Sequence, residues 1–285
     1  MLGKEKYKNI NSLLNKELEE KKSLIAVHRG CPGGNIVENT IPAFYNALKV
    51  GGDMFEMDLI KSTDGVIYIF HDGMEERNFK IKENIKTMSS KEIDSLYYYN
   101  SVDAKTNYKV ILFEDAIKEF RNNELYNIDR AWDILPEVCK ILDKYDVGQQ
   151  ALLKSPVKKE VLEFLDSYDT KYMYMPIVYS MEEVYEVLRY DNINVVGIEI
   201  IAKDEDCELF KQENIEKIKN ENLFVWVNSI TLDNEIKLFA GLDDDISVIE
   251  NPDKGWGKLY EKQIDILQTD WPSLMREYRK KYFNL

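Results

Sequence analysis

The sequence predicts an α/β fold, a closed (β/α)8 TIM barrel, and three observations lead there. Short apolar runs alternate with charged stretches of helical spacing, the pattern of a parallel sheet covered by helices. Eight such runs in 285 residues suit a closed barrel better than an open sheet. Polar side chains recur at the ends of these runs, where such a barrel carries its chemistry.

The first run, Leu24–His28, passes directly into Arg29-Gly30. Strand patterns follow at Met54–Ile60, Glu124–Asp129, Gln150–Lys154, Tyr172–Val178, Val195–Ile201, Leu223–Val227 and Ile264–Leu267. Helical spacing lies between them at Ile41–Val50, Leu112–Arg121, Leu135–Asp143, Lys158–Ser167, Ser180–Arg189 and Ile215–Asn220. A ninth apolar run, Val66–Phe70, comes too soon after Ile60 for a parallel crossover. It is expected as a short extra strand, an antiparallel excursion from the second barrel strand that carries His71 back over the barrel mouth. Residues 1–22 are polar and charged, with Ile10, Leu13, Leu14 and Leu18 at helical spacing. They are expected to form a helical extension packed on the barrel, with 23–285 as a single catalytic domain.

Composition excludes several function classes. A formal charge of −14 argues against nucleic acid as a partner, because phosphate backbones require a basic surface. An acidic chain still accepts a phosphorylated small molecule where a bound cation reverses the local sign. Cys31, Cys139 and Cys207 are odd in number and widely spaced, which suits free thiols in a reducing compartment. No apolar run reaches the length of a membrane span, and Met1–Lys22 lacks the apolar core of a signal peptide. A cytoplasmic location is the default unless a leader has been removed. A homo-oligomer is left open.

The chain has two histidines, His28 and His71, each ending an apolar run. Between them Glu56 and Asp58 stand two residues apart on a strand, so both point to one face. Side by side in a barrel interior, two carboxylates repel and raise each other's pKa. A divalent cation removes that penalty, and hard oxygen ligands suit Mg²⁺ or Ca²⁺. Asp129, ending the next barrel strand, is a third ligand or, equally, a cap for the following helix. Lys154 ends a buried-looking strand and needs an anion there, a phosphate or a neighbouring acid. Asn39 or Thr40 can cap the helix that begins Ile41-Pro42, while Glu38, just before, is placed to orient a metal or a histidine. Glu199, Trp226 with Asn228, and Asp270 also fall at strand ends.

These residues together resemble the glycerophosphodiester phosphodiesterase family. The resemblance is carried by His28-Arg29-Gly30, Glu38-Asn39-Thr40-Ile41-Pro42-Ala43-Phe44, Glu56-Met57-Asp58, Thr63-Asp64-Gly65 and His71-Asp72. It returns in Leu223-Phe224-Val225-Trp226-Val227-Asn228 and Gln268-Thr269-Asp270-Trp271-Pro272. The resemblance implies a TIM barrel of the phospholipase C-like phosphodiesterase type, one divalent cation (Mg²⁺ or Ca²⁺), and hydrolysis of glycerophosphodiesters to sn-glycerol 3-phosphate and an alcohol. By the same resemblance His28 and His71 are the general acid/base pair, and Glu56, Asp58 and Asp129 the metal ligands. Arg29 and Lys154 hold the phosphate, and Glu38, Glu199, Trp226 and Asn228 line the substrate. The chain departs from the family after His71-Asp72, where Gly73-Met74-Glu75-Glu76-Arg77-Asn78 keeps only the arginine, and after Asp129, where Arg130-Ala131 replaces a spaced lysine.

Three other readings share parts of this inventory. A phospholipase D-type enzyme acting on lysophospholipid head groups would use the same barrel and site with an exposed apolar rim. A phosphoinositide-type phospholipase C also pairs two histidines, but the acid triad argues against it. A barrel that binds a phosphorylated ligand without turnover has no need for the complete pair of histidines and set of acids.

Overall fold

The computed structural model describes residues 1–285. Ten strands run along the chain: β1 (Leu24–Val27), β2 (Met54–Lys61), β3 (Ile67–Ile69), β4 (Ile111–Leu112) and β5 (Leu125–Asp129), then β6 (Ala151–Pro156), β7 (Met173–Val178), β8 (Gly197–Ile200), β9 (Phe224–Asn228) and β10 (Ile266–Thr269). The principal helices are α1 (Ser12–Lys21), α2 (Ile41–Val50), α3 (Glu75–Phe79), α4 (Ser90–Ile93), α5 (Phe113–Glu119) and α6 (Leu135–Tyr145). After them come α7 (Lys159–Ser167), α8 (Met181–Leu188), α9 (Gln212–Asn220), α10 (Trp256–Glu261) and α11 (Pro272–Phe283).

Eight strands pair in parallel around a closed ring, in the order β1-β2-β5-β6-β7-β8-β9-β10 and back to β1. The ring is the expected (β/α)8 barrel. Its pleat sorts the side chains into two layers. Ile25, Val27, Phe55, Met57, Tyr126 and Ile128 face outward and join the large core beneath the helices. Leu24, Ala26, Met54, Leu125, Leu152, Met173 and Trp226 point inward and fill the interior. The same inward alternation, carried to the strand ends, brings up Glu56 and Asp58 on β2, Asp129 on β5 and Lys154 on β6. The barrel is thus apolar at one end and ionised at the other. Gly197 of β8 makes room for this filling, since a Cβ there would lie 2.2 Å from the Phe224 ring.

At the N-terminal end of the barrel, α1 inserts Leu14, fully buried, into the inner cluster, with Leu2, Ile10, Leu13 and Leu18 packed around it. Asn11 and Asn194 exchange buried side-chain hydrogen bonds at 3.1 and 2.8 Å, tying this segment to the loop before β8.

Val66–Phe70 forms the expected antiparallel excursion, with Leu59 opposite Ile69 and Lys61 opposite Ile67. The sequence reading missed its partner β4, which pairs antiparallel on the far side of β3. The three strands carry α3 and α4 and enclose a separate core of Val37, Ile60, Tyr68, Phe70, Phe79, Ile85, Met88, Ile93, Tyr98 and Val110. Strand bounds elsewhere shift by one or two residues. Val195 makes only an isolated bridge to Tyr174, and β10 begins at Ile266, because the Asp265 carboxylate turns to cap the Val225 N–H at 2.8 Å.

The inward Leu14 gives a stability prediction. Leu14→Ala should cost about 2–5 kcal/mol through lost burial and the cavity left behind. Urea unfolding followed by circular dichroism measures it, and a loss under ~1 kcal/mol would mean that α1 does not seal the barrel.

Candidate active site

The site begins in the loop after β1. Arg29 and Gly30 both adopt left-handed backbone (φ 54° and 75°), and a Cβ at position 30 would meet the Ala43 backbone at 2.8 Å. Glycine is required there, and the tight turn directs the Arg29 N–H at Glu56 Oε2, 2.9 Å away. The Arg29 side chain turns inward, with Nε 3.2 Å from Asp58 Oδ2 and Nη1 3.4 Å from Glu38 Oε1.

Glu38 makes its contacts with two guanidinium groups and an amide rather than with a histidine. Its carboxylate accepts from Arg29 and Asn78, both at 3.4 Å, and from Arg77. Three donors of this kind leave it as the anchor of two guanidinium groups. Asn39 also differs from its expected role as a cap. It too is left-handed (φ 56°), and its amide donates to Asp58 Oδ2 at 2.9 Å, while Thr40 Oγ1 donates to the Val37 carbonyl. Asparagine tolerates that backbone region and supplies the amide, so its type was a signal that the capping argument masked.

Glu56, Asp58 and Asp129 converge, with a ligand atom from each lying within 4.8 Å of the others. Glu56 and Asp58 are buried and Asp129 is partly exposed. Burial, and then the Asp58 charge, push the Glu56 carboxyl up to about 8. Lys154, buried, bridges Asp129 Oδ2 at 2.7 Å and Glu199 Oε2 at 3.2 Å. Of the two anions that Lys154 was expected to need, the neighbouring acid is the one in contact. Beneath it Trp226 donates to Asn228 Oδ1 at 2.8 Å, and Asn228 donates to Glu199 Oε1 at 2.8 Å. Trp226, fully buried, therefore reaches the ionised layer through Asn228 and Glu199.

The histidines stand in opposite surroundings. His28 Nδ1 is 3.0 Å from Asp270 Oδ1; a carboxylate only accepts, so Nδ1 carries the hydrogen. Burial disfavours charge on His28, but that hydrogen bond and the Glu56 charge hold its imidazole above the usual range. His71 Nδ1 donates to the Asp72 carbonyl at 2.8 Å, and its Nε2 faces Arg130 Nη1 at 3.5 Å. Burial lowers its pKa, and the Arg29 and Arg130 charges add to that against the pull of Asp58. Arg130 is itself left-handed (φ 56°) and held by Asp72 at 2.6 and 2.8 Å. Its role at His71 escaped the sequence reading, which noted it only as a departure. Its one signal was an arginine directly after the third acid.

Two clefts flank the loop from Arg29 to Asn39. One, of ≈490 Å³, reaches the site at Asp270 and is lined also by Cys31, Thr231, Asp245, Trp271 and Leu274. The other, of ≈410 Å³, reaches it at Glu38 and is lined by Ile36, Arg77, Asn78 and Tyr99.

Comparison with known proteins completes the picture. Residues 28–173 match the glycerophosphoryl diester phosphodiesterase family, and residues 174–279 match a domain of unknown function. A glycerophosphodiester phosphodiesterase of Bacillus subtilis is 22% identical over 280 residues, covering 91% of this chain and 87% of that protein. The human lysophospholipase D GDPD1 is 22% identical over 278 residues, covering 88% of this chain and 84% of that protein. Among solved structures, a glycerophosphoryl diester phosphodiesterase of Parabacteroides distasonis superposes with a TM-score of 0.73 at 17% identity, covering 92% of this chain and 87% of that one. An Oleispira antarctica phosphodiesterase in complex with the product sn-glycerol-3-phosphate superposes at 0.64 with 16% identity, covering 90% and 96%. With a barrel of this topology and a family match over half its length, this chain belongs to the glycerophosphoryl diester phosphodiesterase family, a family of phosphoric diester hydrolases.

Proposed function

We propose that this chain hydrolyses glycerophosphodiesters to sn-glycerol 3-phosphate and an alcohol, with a divalent cation on Glu56, Asp58 and Asp129 and with His28 and His71 as the acid/base pair. The observation that carries this reading is the meeting of three carboxylates within 4.8 Å, with the Glu56 charge acting on one histidine and the Asp58 charge on the other. The donor set fits Mg²⁺ or Ca²⁺: all ligands are hard oxygens, and a buried carboxyl held near 8 is one that a cation would ionise. A bound cation would neutralise diester charge and stabilise the charge that builds on the phosphoryl oxygens.

The chain's own groups supply the rest. Burial favours neutral His71, with Nδ1–H on the Asp72 carbonyl. Its Nε2, which Arg130 Nη1 approaches only to 3.5 Å, would act as general base. His28, whose charged form the Asp270 hydrogen bond favours, would give its Nε2 proton to the leaving oxygen. Lys154 and Arg29, already set among the acids, would hold the phosphate oxygens. As the family resemblance implies, the nucleophile is the substrate's neighbouring hydroxyl, and the cyclic phosphate formed is then opened by water. The product named in the Oleispira antarctica structure supports a glycerophosphodiester as the substrate class.

A second reading has an observation of its own. Tyr179, Leu232 and Ile236, on the loops that follow β7 and β9, and Trp271 and Leu274, at the start of α11 after β10, are exposed at the mouth of the barrel. Such a rim suits a lipid-bearing diester, although no helix is long and apolar enough to cross a membrane. Turnover of glycerophosphocholine and of lysophosphatidylcholine separates the readings. The first predicts faster release from glycerophosphocholine, and a preference for the lysolipid would establish the second.

His28→Ala and His71→Ala should each lower diester turnover by about 10²–10⁴-fold with an unchanged circular dichroism spectrum. Asp270→Asn should move the alkaline limb of the pH–rate profile downward, since His28 then loses its proton sooner. Movement of the acid limb instead would exchange the roles of the two histidines. The metal makes a separate prediction. Without metal, the folded chain keeps a proton on Glu56 that the unfolded chain has lost above its ordinary value of 4.5, so stability falls as pH rises from there through about 8. Mg²⁺ or Ca²⁺ binds the ionised form, so the Tm rise it causes should grow between pH 6 and 9 and vanish in Glu56→Gln. A rise that is flat with pH, or that persists in the variant, would place the ion elsewhere.

A further inference from the structure

We infer that Asp244 is a positioning residue for the proposed reaction, fixing the Asp270 carboxylate against His28 from beneath the barrel mouth. It lies in the connection between β9 and β10, is 1% exposed, and belongs to no motif described above. Its carboxylate accepts from Ser229 Oγ at 2.7 Å, Trp256 Nε1 at 2.8 Å and the Asp270 backbone N–H at 2.9 Å. Thr269 Oγ1 lies 2.9 Å from both of its oxygens. Its own N–H donates to the Ser229 carbonyl at 2.7 Å, which locks it to the end of β9.

The direction of these bonds decides what the group must be. The indole N–H and the backbone N–H only donate, so the buried side chain has to accept on both oxygens. Thr269 Oγ1 spends its proton on Asp244 and then accepts from the Trp271 N–H at 2.9 Å, which fixes the backbone on the other side of Asp270. The Asp270 side chain is 47% exposed and has one protein partner in the site, His28. An exposed carboxylate ordinarily samples several rotamers. Here its backbone is held on both sides: the Asp270 N–H bonds Asp244 directly, and the Trp271 N–H bonds the Thr269 hydroxyl that itself donates to Asp244. Asp244 never touches the imidazole; it sets where Asp270 can point.

The inference rests on His28 being a catalytic histidine, so its test carries a readout that needs no activity. Because the chain has two histidines, ring NMR of ¹⁵N-histidine-labelled protein resolves His28 and His71 separately. Asp244→Asn places an NH₂ against an obligate donor, and Thr269→Val removes the shared hydroxyl at constant shape. Each should lose the hydrogen-bonded Nδ1–H signal of His28 and leave that of His71, and each should lower kcat on the order of ten- to a hundredfold with KM nearly unchanged. Asp244→Asn combined with Asp270→Asn should be no worse than Asp270→Asn alone, as for two residues acting through one bond. If Asp244→Asn fails to fold, Thr269→Val decides the case. A folded variant that keeps the His28 signal, or a double variant whose losses multiply, would overturn the assignment. Loss of the signal with no measurable diesterase in the wild type would instead keep the positioning role and remove the proposed reaction.

Discussion

Glu38, Glu56, Asp58, Asp129 and Glu199 crowd into one end of a closed barrel, with Arg29, Arg77 and Lys154 set among them. Like charges 4.8 Å apart repel by on the order of 3 kcal/mol at an effective dielectric constant of ~20, before any cost of burial. The cations offset much of this: Arg29 and Lys154 each bridge acids from different elements, and Arg77 pairs with Glu38. With all five ionised, as they would be around a bound cation, five carboxylates against three cations leave two negative charges, the charge that a divalent ion carries. Burial, and then the neighbouring Asp58 charge, explain why Glu56 holds its proton up to about 8. The two histidines shift in opposite directions, His28 upward beside Asp270 and Glu56 and His71 downward through burial and the Arg29 and Arg130 charges.

Holding such a cluster requires backbone that the side chains would not choose. Arg29, Asn39 and Arg130 are left-handed without being glycine, at a cost on the order of 1–3 kcal/mol each. All three deliver a group to the ionised layer: a backbone N–H to Glu56, an amide to Asp58, a guanidinium to Asp72 beside His71. The strain persists because the surrounding packing is over-determined. Gly30 lies against α2, and β2 is fixed by parallel neighbours on both sides. At these three positions the strain aims groups into the site.

Much of this was legible in the chain. Eight apolar runs alternating with helical stretches gave the barrel, because a closed parallel sheet buries both faces of each strand. The identical fate of Glu56 and Asp58 followed from their i, i+2 spacing alone. What escaped depends on tertiary approach. Glu38 reads as a loop acid until the fold brings Arg77 to it across the excursion. Asn39 reads as a helix cap until its backbone turns left-handed. The strand β4 is two residues long and carries no pattern at that length. Asp244 sits in a run of three aspartates, Asp243-Asp244-Asp245, in which only the fold says which one is buried.

The boundary between the two family matches falls at Met173 and Tyr174, inside β7, so it divides the sequence without dividing the barrel. Neither half can close the ring, since β6 must pair with β7 and β1 with β10. The first half carries both histidines and the three acids. The second half supplies Glu199 to Lys154 and Asp270 to His28, together with Asp244 beneath it. It also supplies most of the exposed rim and the lining of the larger cleft. Of the two histidines, both in the first half, His28 takes its partner Asp270 from the second half, whereas His71 is held by Asp72 and Arg130 of the first. The walls around the pair belong mainly to the second half, where change can redirect what enters the site and leave its charge balance intact.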